Sequence, residues 1–101
     1  MAVRIELWIE GRLVNGAEQW WDDIEASLPD VEWKARFPML SRVDPYGVVS
    51  FERKEMDALG ADVRRFLPQA PERVRPFLQR LADLCDEGRL GKVSELRFLG
   101  D

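Results

Sequence analysis

The chain has 101 residues, 46% of them apolar and 34% charged, and a formal net charge of −4. That is the size of one domain and the composition of a globular one, far from the disordered regime. Net acidity argues against a nucleic-acid partner, because phosphate contacts need a basic face. The chain has no histidine, which removes Ser-His-Asp and Cys-His catalysis along with the commonest metal ligand.

A single cysteine allows no internal disulfide, which fits a reducing compartment. No apolar run approaches the roughly 20 residues that cross a bilayer, and only Arg4 precedes the first alternating segment. A cytoplasmic protein with neither a membrane partner nor a secretory leader is therefore expected. Charge is unevenly spread. Residues 13–33 hold six acids (Glu18, Asp22, Asp23, Glu25, Asp30, Glu32) and no Lys or Arg. The remainder holds 19 − 6 = 13 acids against all 15 bases, a balance of +2.

Val3, Ile5, Leu7 and Ile9 alternate with Arg4, Glu6, Trp8 and Glu10, the pattern of a half-buried strand with one wet face. Glu10-Gly11 is a turn signal, and 12–14 can fold back as a short hairpin partner. Asn15-Gly16 then predicts a break and a helix cap. Ala17, Trp20, Trp21, Ile24 and Leu28 fall at i, i+3, i+4, i+7 and i+11, which predicts an amphipathic helix of about three turns stopped by Pro29. Residues 31–37 alternate as a second strand would, although Trp33, Phe37 and Leu40 also fit helical turns.

Asp44-Pro45 and Gly47 form a turn, with Gly47 suited to a positive φ. Ser50 is placed to cap a helix over 50–67, in which Met56, Leu59, Val63 and Phe66/Leu67 line one face. Asp57 and Asp62 have Arg53 and Arg65 four and three residues away, which predicts a solvated, self-paired flank. After the Pro-Gln-Ala-Pro linker, the stripe Val74, Phe77, Leu78, Leu81, Leu84 and Cys85 predicts a helix starting near Pro76 and capped at Gly88. Residues 95–99 alternate as a last strand. The fold class is α+β, a single two-layer domain spanning 1–101. Its small sheet, two- or three-stranded, is formed by the terminal strands, with about three helices on one face.

No catalytic, cofactor or metal site is expected. Cys85 lies on the apolar stripe as packing material. Gly88-Arg-Leu-Gly-Lys92 lacks the spacing of a phosphate loop, and Val93 stands where Ser or Thr would coordinate magnesium. Three surfaces remain. Glu18, Asp22, Asp23 and Glu25 would form a negative flank on the first helix, facing a basic protein partner, with the indoles turned inward. Trp8 faces away from the helices, covered either by Arg97 or by a partner. Asp44 and Tyr46 could border a pocket for a small ligand or an enzymatic reaction. A homo-oligomeric structural protein, joined through the wet sheet face or an edge strand, is the third alternative.

The segments Phe37-Pro-Met-Leu, Val43-Asp-Pro-Tyr-Gly47, Phe51, Met56 and Leu96-Arg-Phe-Leu-Gly-Asp101 together resemble a family of small uncharacterised bacterial α+β proteins. That family usually has a polar pair after the Tyr-Gly, where this chain has Val48-Val49. The resemblance implies one α+β domain of bacterial origin and no established activity. Small acidic bacterial proteins of this size include immunity proteins that neutralise secreted toxins. By that analogy the chain is read as a small acidic, non-enzymatic, immunity-like interaction domain.

Overall fold

The computed structural model describes residues 1–100, so Asp101 of the closing segment lies outside them. The first strand, β1 (Ala2–Ile9), runs into a two-residue turn and returns as β2 (Arg12–Trp20). Glu10 (φ 51°) and Gly11 (φ 77°) both occupy the left-handed region, as the tight hairpin turn matching strand twist requires. The terminal strands are neighbours as expected: β1 pairs antiparallel with β4 (Ser94–Leu99), placing Glu6 opposite Arg97. A fourth strand, β3 (Val48–Glu52), pairs with the outer side of β4 and gives the order β2-β1-β4-β3.

The sheet is thus four-stranded, not two- or three-stranded. The additional strand is the segment around Ser50. Ser50 sits on β3 instead of capping a helix, because Phe51 turns into the core opposite Leu96 and draws its neighbours into the ladder. The helix α3 (Met56–Phe66) begins only after a 3-10 turn, Arg53–Glu55. There Glu52 and Glu55 each satisfy the other's backbone N–H in a reciprocal cap.

Two further expectations are overturned. Residues 17–28 do not form one helix: β2 runs through Trp20, and only the short α1 (Asp22–Glu25) is helical. Asn15-Gly16 does not break the strand. Gly16 lies opposite Glu6 within it, and a Cβ there would stand 2.8 Å from the Ile5 carbonyl oxygen. The extra residue of β2 is Val14, where the register shifts beside Leu7 and Trp8. Residues 31–37 form α2 (Asp30–Arg36), not a strand. Trp33 and Phe37 are buried one turn apart while Val31 is left in solvent. Asp30 and Glu32 in the first turn, with Lys34 and Arg36 in the last, suit the helix dipole.

The second long helix, α4 (Arg75–Leu90), starts with Pro76 in its first turn, as expected. It continues through Gly88, which is not its cap. A side chain at Gly88 would collide with Met56 and Leu7, so this glycine is the point where α4 presses onto α3 and β1. The core joins Val3, Ile5, Leu7, Phe51, Leu96 and Phe98 of the sheet to the stripe Met56, Leu59, Val63 and Phe66 of α3 and to Leu78, Leu81 and Cys85 of α4. The opposite sheet face carries Arg4, Glu6, Trp8, Glu95 and Arg97.

Candidate functional site

Because β2 ends beside the start of β1, the acidic stretch is folded to one end of the sheet. Trp21 donates its N–H to the Met1 carbonyl at 2.7 Å, and this fixes the chain as it leaves β2. The predicted acidic residues do not share one helical flank. Glu18 lies on β2 opposite Arg4. Asp22 pairs with the N-terminal ammonium at 2.8 Å and Asp23 with Arg73 at 3.0 Å. Glu25 and Asp30 make no ion pair among the described residues. The indoles also part company: Trp21 is 3% exposed and Trp20 54%.

Glu25 stands at the mouth of a half-open pocket of about 200 Å³ between α1, α2 and the 3-10 turn Leu40–Arg42. Its floor and walls are apolar and buried: Trp21, Ile24, Trp33, Leu40 and Val43. The rim is polar, formed by Glu25, Asp30, Lys34 and Ser41. The two indoles are held rigidly. Trp21 meets Phe77 and Phe98 edge-on at 6.0 and 6.1 Å, and Trp33 meets Phe66 at 4.9 Å. The Trp33 Nε1–H points to the Glu25 carbonyl at 3.4 Å, a long contact that orients α2 against α1.

The far wall depends on Asp62, which is 3% exposed and not on a solvated flank. Its Oδ2 accepts the Met39 N–H at 2.7 Å and the Leu40 N–H at 3.1 Å, and its Oδ1 pairs with Arg65. Arg53 is not the partner of Asp57: Asp57 pairs with Arg89 at 2.7 Å, and Arg53 donates to the Arg89 carbonyl. An aspartate three residues before an arginine looks like a surface pair. Nothing local shows that a distant turn delivers two N–H groups to it.

The Glu25 carboxyl is held above the usual carboxylate range. Partial desolvation at the pocket mouth is the main cause, followed by the negative charges of Asp22 and Asp30. The N-terminal ammonium acts the other way, and Asp44 adds a smaller upward push.

Trp8 finds its partners within the chain. The Arg97 guanidinium lies 4.4 Å from its ring centroid, and its Nε1–H donates to Glu6 at 3.1 Å. Asp44 and Tyr46 form the expected turn, in which Asp44 Oδ1 accepts the Tyr46 N–H at 2.9 Å. Gly47 needs no positive φ there. Both residues are exposed, Tyr46 at 70%, and neither lines the pocket, which Val43 alone of this turn reaches. The sequence reading missed Asp30, Trp33 and Leu40 as site residues. The one signal for them was the Trp33–Phe37–Leu40 spacing, which puts Trp33 on the inner side of a helix.

Compared with family models, curated proteins and solved structures, the chain gives no match.

Proposed function

We propose that the chain is a non-enzymatic protein-interaction domain that presents the acidic end of its sheet to a basic protein. The observation that carries this reading is that Glu25 and Asp30 stand exposed at one pocket mouth with no ion-pair partner among the described residues. Partial desolvation holds the Glu25 carboxyl up first, the charges of Asp22 and Asp30 add to it, and the N-terminal ammonium opposes them. A folded chain that gathers negative charge this way does so at some cost to its own stability. A basic partner removes that cost on docking, and such attraction speeds encounter and selects partners by sign. An immunity-like role, with a secreted toxin as the basic partner, is one form of this reading.

The peptide acetyl-Lys-Lys-Ser-Lys-Lys-amide, titrated calorimetrically, tests it. Binding should weaken several-fold in a Glu25→Gln/Asp30→Asn variant and stay unchanged in a Glu10→Gln/Asp83→Asn variant, which removes the same charge elsewhere. It should also fade toward about 150 mM salt, where the screening length is about 8 Å. Equal binding by both double variants refutes the reading.

The sheet edges support a second reading, self-association through β3. On β2 the outward Gly16 carbonyl accepts from Arg80 at 2.9 and 3.0 Å, and the Gly16 N–H bonds Asn15 Oδ1 at 2.9 Å. The Trp20 carbonyl is taken by Gln19. On β3, Gly100 donates to Gly47. Alternation of the antiparallel ladder therefore turns the backbone groups of Val48 and Ser50 to the open edge. Ser50→Pro removes one outward N–H without breaking a bond to β4. It should convert any dimer seen by sedimentation to monomer, and a wild-type monomer at high micromolar concentration disposes of this reading.

A further inference from the structure

We infer that the basic partner docks by inserting one apolar side chain into the Trp21/Trp33 pocket while an adjacent lysine or arginine meets Glu25 and Asp30 at its mouth. This rests on the reading above and specifies the partner segment: an apolar anchor flanked by basic residues.

Three features carry it. The first is size. Sites for cofactors and drug-sized ligands run to about 300–1,000 Å³, whereas this pocket holds about 200 Å³, which suits one side chain. The second is the order of its lining. The buried residues Trp21, Ile24, Trp33, Leu40 and Val43 form the interior, and the exposed Glu25 and Asp30 stand at the rim. A lysine entering ammonium-first would bury its charge against indoles and aliphatic carbons while its methylenes lay beside the carboxylates. An apolar group entering first, with the cation outside, matches both zones. Docking surfaces concentrate their binding energy in this way, with an apolar centre inside a polar rim. The third is charge. Glu25 and Asp30 have no ion-pair partner among the described residues. Lys34, the cation on the rim, lies beyond ion-pair distance of both, so the mouth keeps a net charge of −2 + 1 = −1.

The interior is also preformed. Trp21 is fixed by Phe77 and Phe98, Trp33 by Phe37 and Phe66, and Leu40 by the backbone bonds of its turn to Asp62. A rigid cavity accepts an anchor without the ordering cost that a flexible one incurs.

The test compares acetyl-Lys-Lys-Leu-Lys-Lys-amide with its Ser-centred counterpart on the intact chain, read by calorimetry and by ¹H–¹⁵N spectra of the four indole N–H groups. The leucine peptide should bind at least about tenfold more tightly, the step that about 1.4 kcal/mol of anchor burial gives. It should shift the Trp21 and Trp33 indole signals and leave those of Trp8 and Trp20 in place. Lys34→Gln should strengthen binding of the leucine peptide and Glu25→Gln should weaken it. If the serine peptide binds equally well, or the shifts fall on Trp8 or Trp20, the anchor proposal is overturned while the acidic docking face stands. If neither peptide binds, both fall. Phenethylammonium binding more tightly than the leucine peptide would reassign the pocket to small amines and likewise overturn the proposal.

Discussion

Replacing Asp62 by alanine should cost this domain about 3 kcal/mol, far more than an exposed helical aspartate warrants. The carboxylate accepts two backbone N–H groups from the 39–40 turn at 2.7 and 3.1 Å. Hydrogen bonds to a charged acceptor are worth about 1.5–3 kcal/mol each, and a buried donor left without a partner costs about 1–3 kcal/mol. The two donors are not equivalent. Met39 is half-buried, so water can replace the carboxylate there and its share is near the low end. Leu40 is 2% exposed, so its N–H would be orphaned and its share is larger, about 2 kcal/mol. The Arg65 partner adds little, about 0.5 kcal/mol or less, because its side chain is 58% exposed.

For a domain of this size, a loss of about 3 kcal/mol lowers Tm by about 12–20 °C and the urea midpoint by about 2 M. Asp62→Asn keeps an oxygen acceptor without the charge and should lose about half as much. Urea titration followed by tryptophan fluorescence measures both. Amide exchange at Leu40 in the alanine variant should accelerate beyond the drop in global stability, because the turn loses its anchor first. An Asp62→Ala variant within about 1 kcal/mol of wild type would mean that the turn stands on its own packing, and the account of the pocket wall would be wrong.

Glu25→Gln should raise Tm at pH 7. The folded pKa of Glu25 is raised, so ionisation costs the folded state and stability falls as pH rises through that value; the variant's advantage should vanish at about pH 3, where the wild-type carboxyl is neutral in both states. Gly88→Ala should destabilise by about 1–2 kcal/mol in urea melts, since the gain in helix propensity is outweighed by overpacking against Met56 and Leu7. Burial pushes the Cys85 thiol up to about 12, so it should resist iodoacetamide at pH 8 in the folded protein and react at an ordinary rate in urea. Comparable alkylation rates in the two states would contradict its burial.

The parts of this fold that were legible share one property: their apolar pattern matches the element they form. β1 and β4 alternate, α3 and α4 carry unbroken stripes, and their termini carry the Pro and turn residues that the backbone requires. The parts that misled are those where a side chain answers to something distant in sequence. Ala17, Trp20, Trp21, Ile24 and Leu28 fit a helical period. Yet Trp20 points to solvent on a strand, and Trp21 enters the core only after the chain has left that strand. Periodicity cannot register a change of element halfway along the window. The same holds at Asp62, whose partners lie 22 and 23 residues away.

β2 shows why some of this illegibility was unavoidable. Its inward positions Asn15, Ala17 and Gln19 include one apolar residue, so no alternation marks it as a strand. Asn15 is polar because it faces α4, where it donates to Glu87 at 3.0 Å and accepts from Arg80 at 2.7 Å. That seam lets Arg80 reach past the strand and take the Gly16 carbonyl. Asn15, which helps hide β2 from a hydrophobic pattern, therefore also helps occupy the outward backbone groups of Gly16 on its edge. With the outward groups of Gly16 on β2 occupied and the Trp8 ring covered by Arg97, the negative mouth over the Trp21/Trp33 pocket and the short edge of β3 are two places among the described residues that keep unmet demand. The pocket joins uncompensated charge to a preformed apolar cavity. The β3 edge offers the backbone groups of only two residues, fewer bonds than a stable strand pairing normally uses, and so the pocket is the docking site we propose.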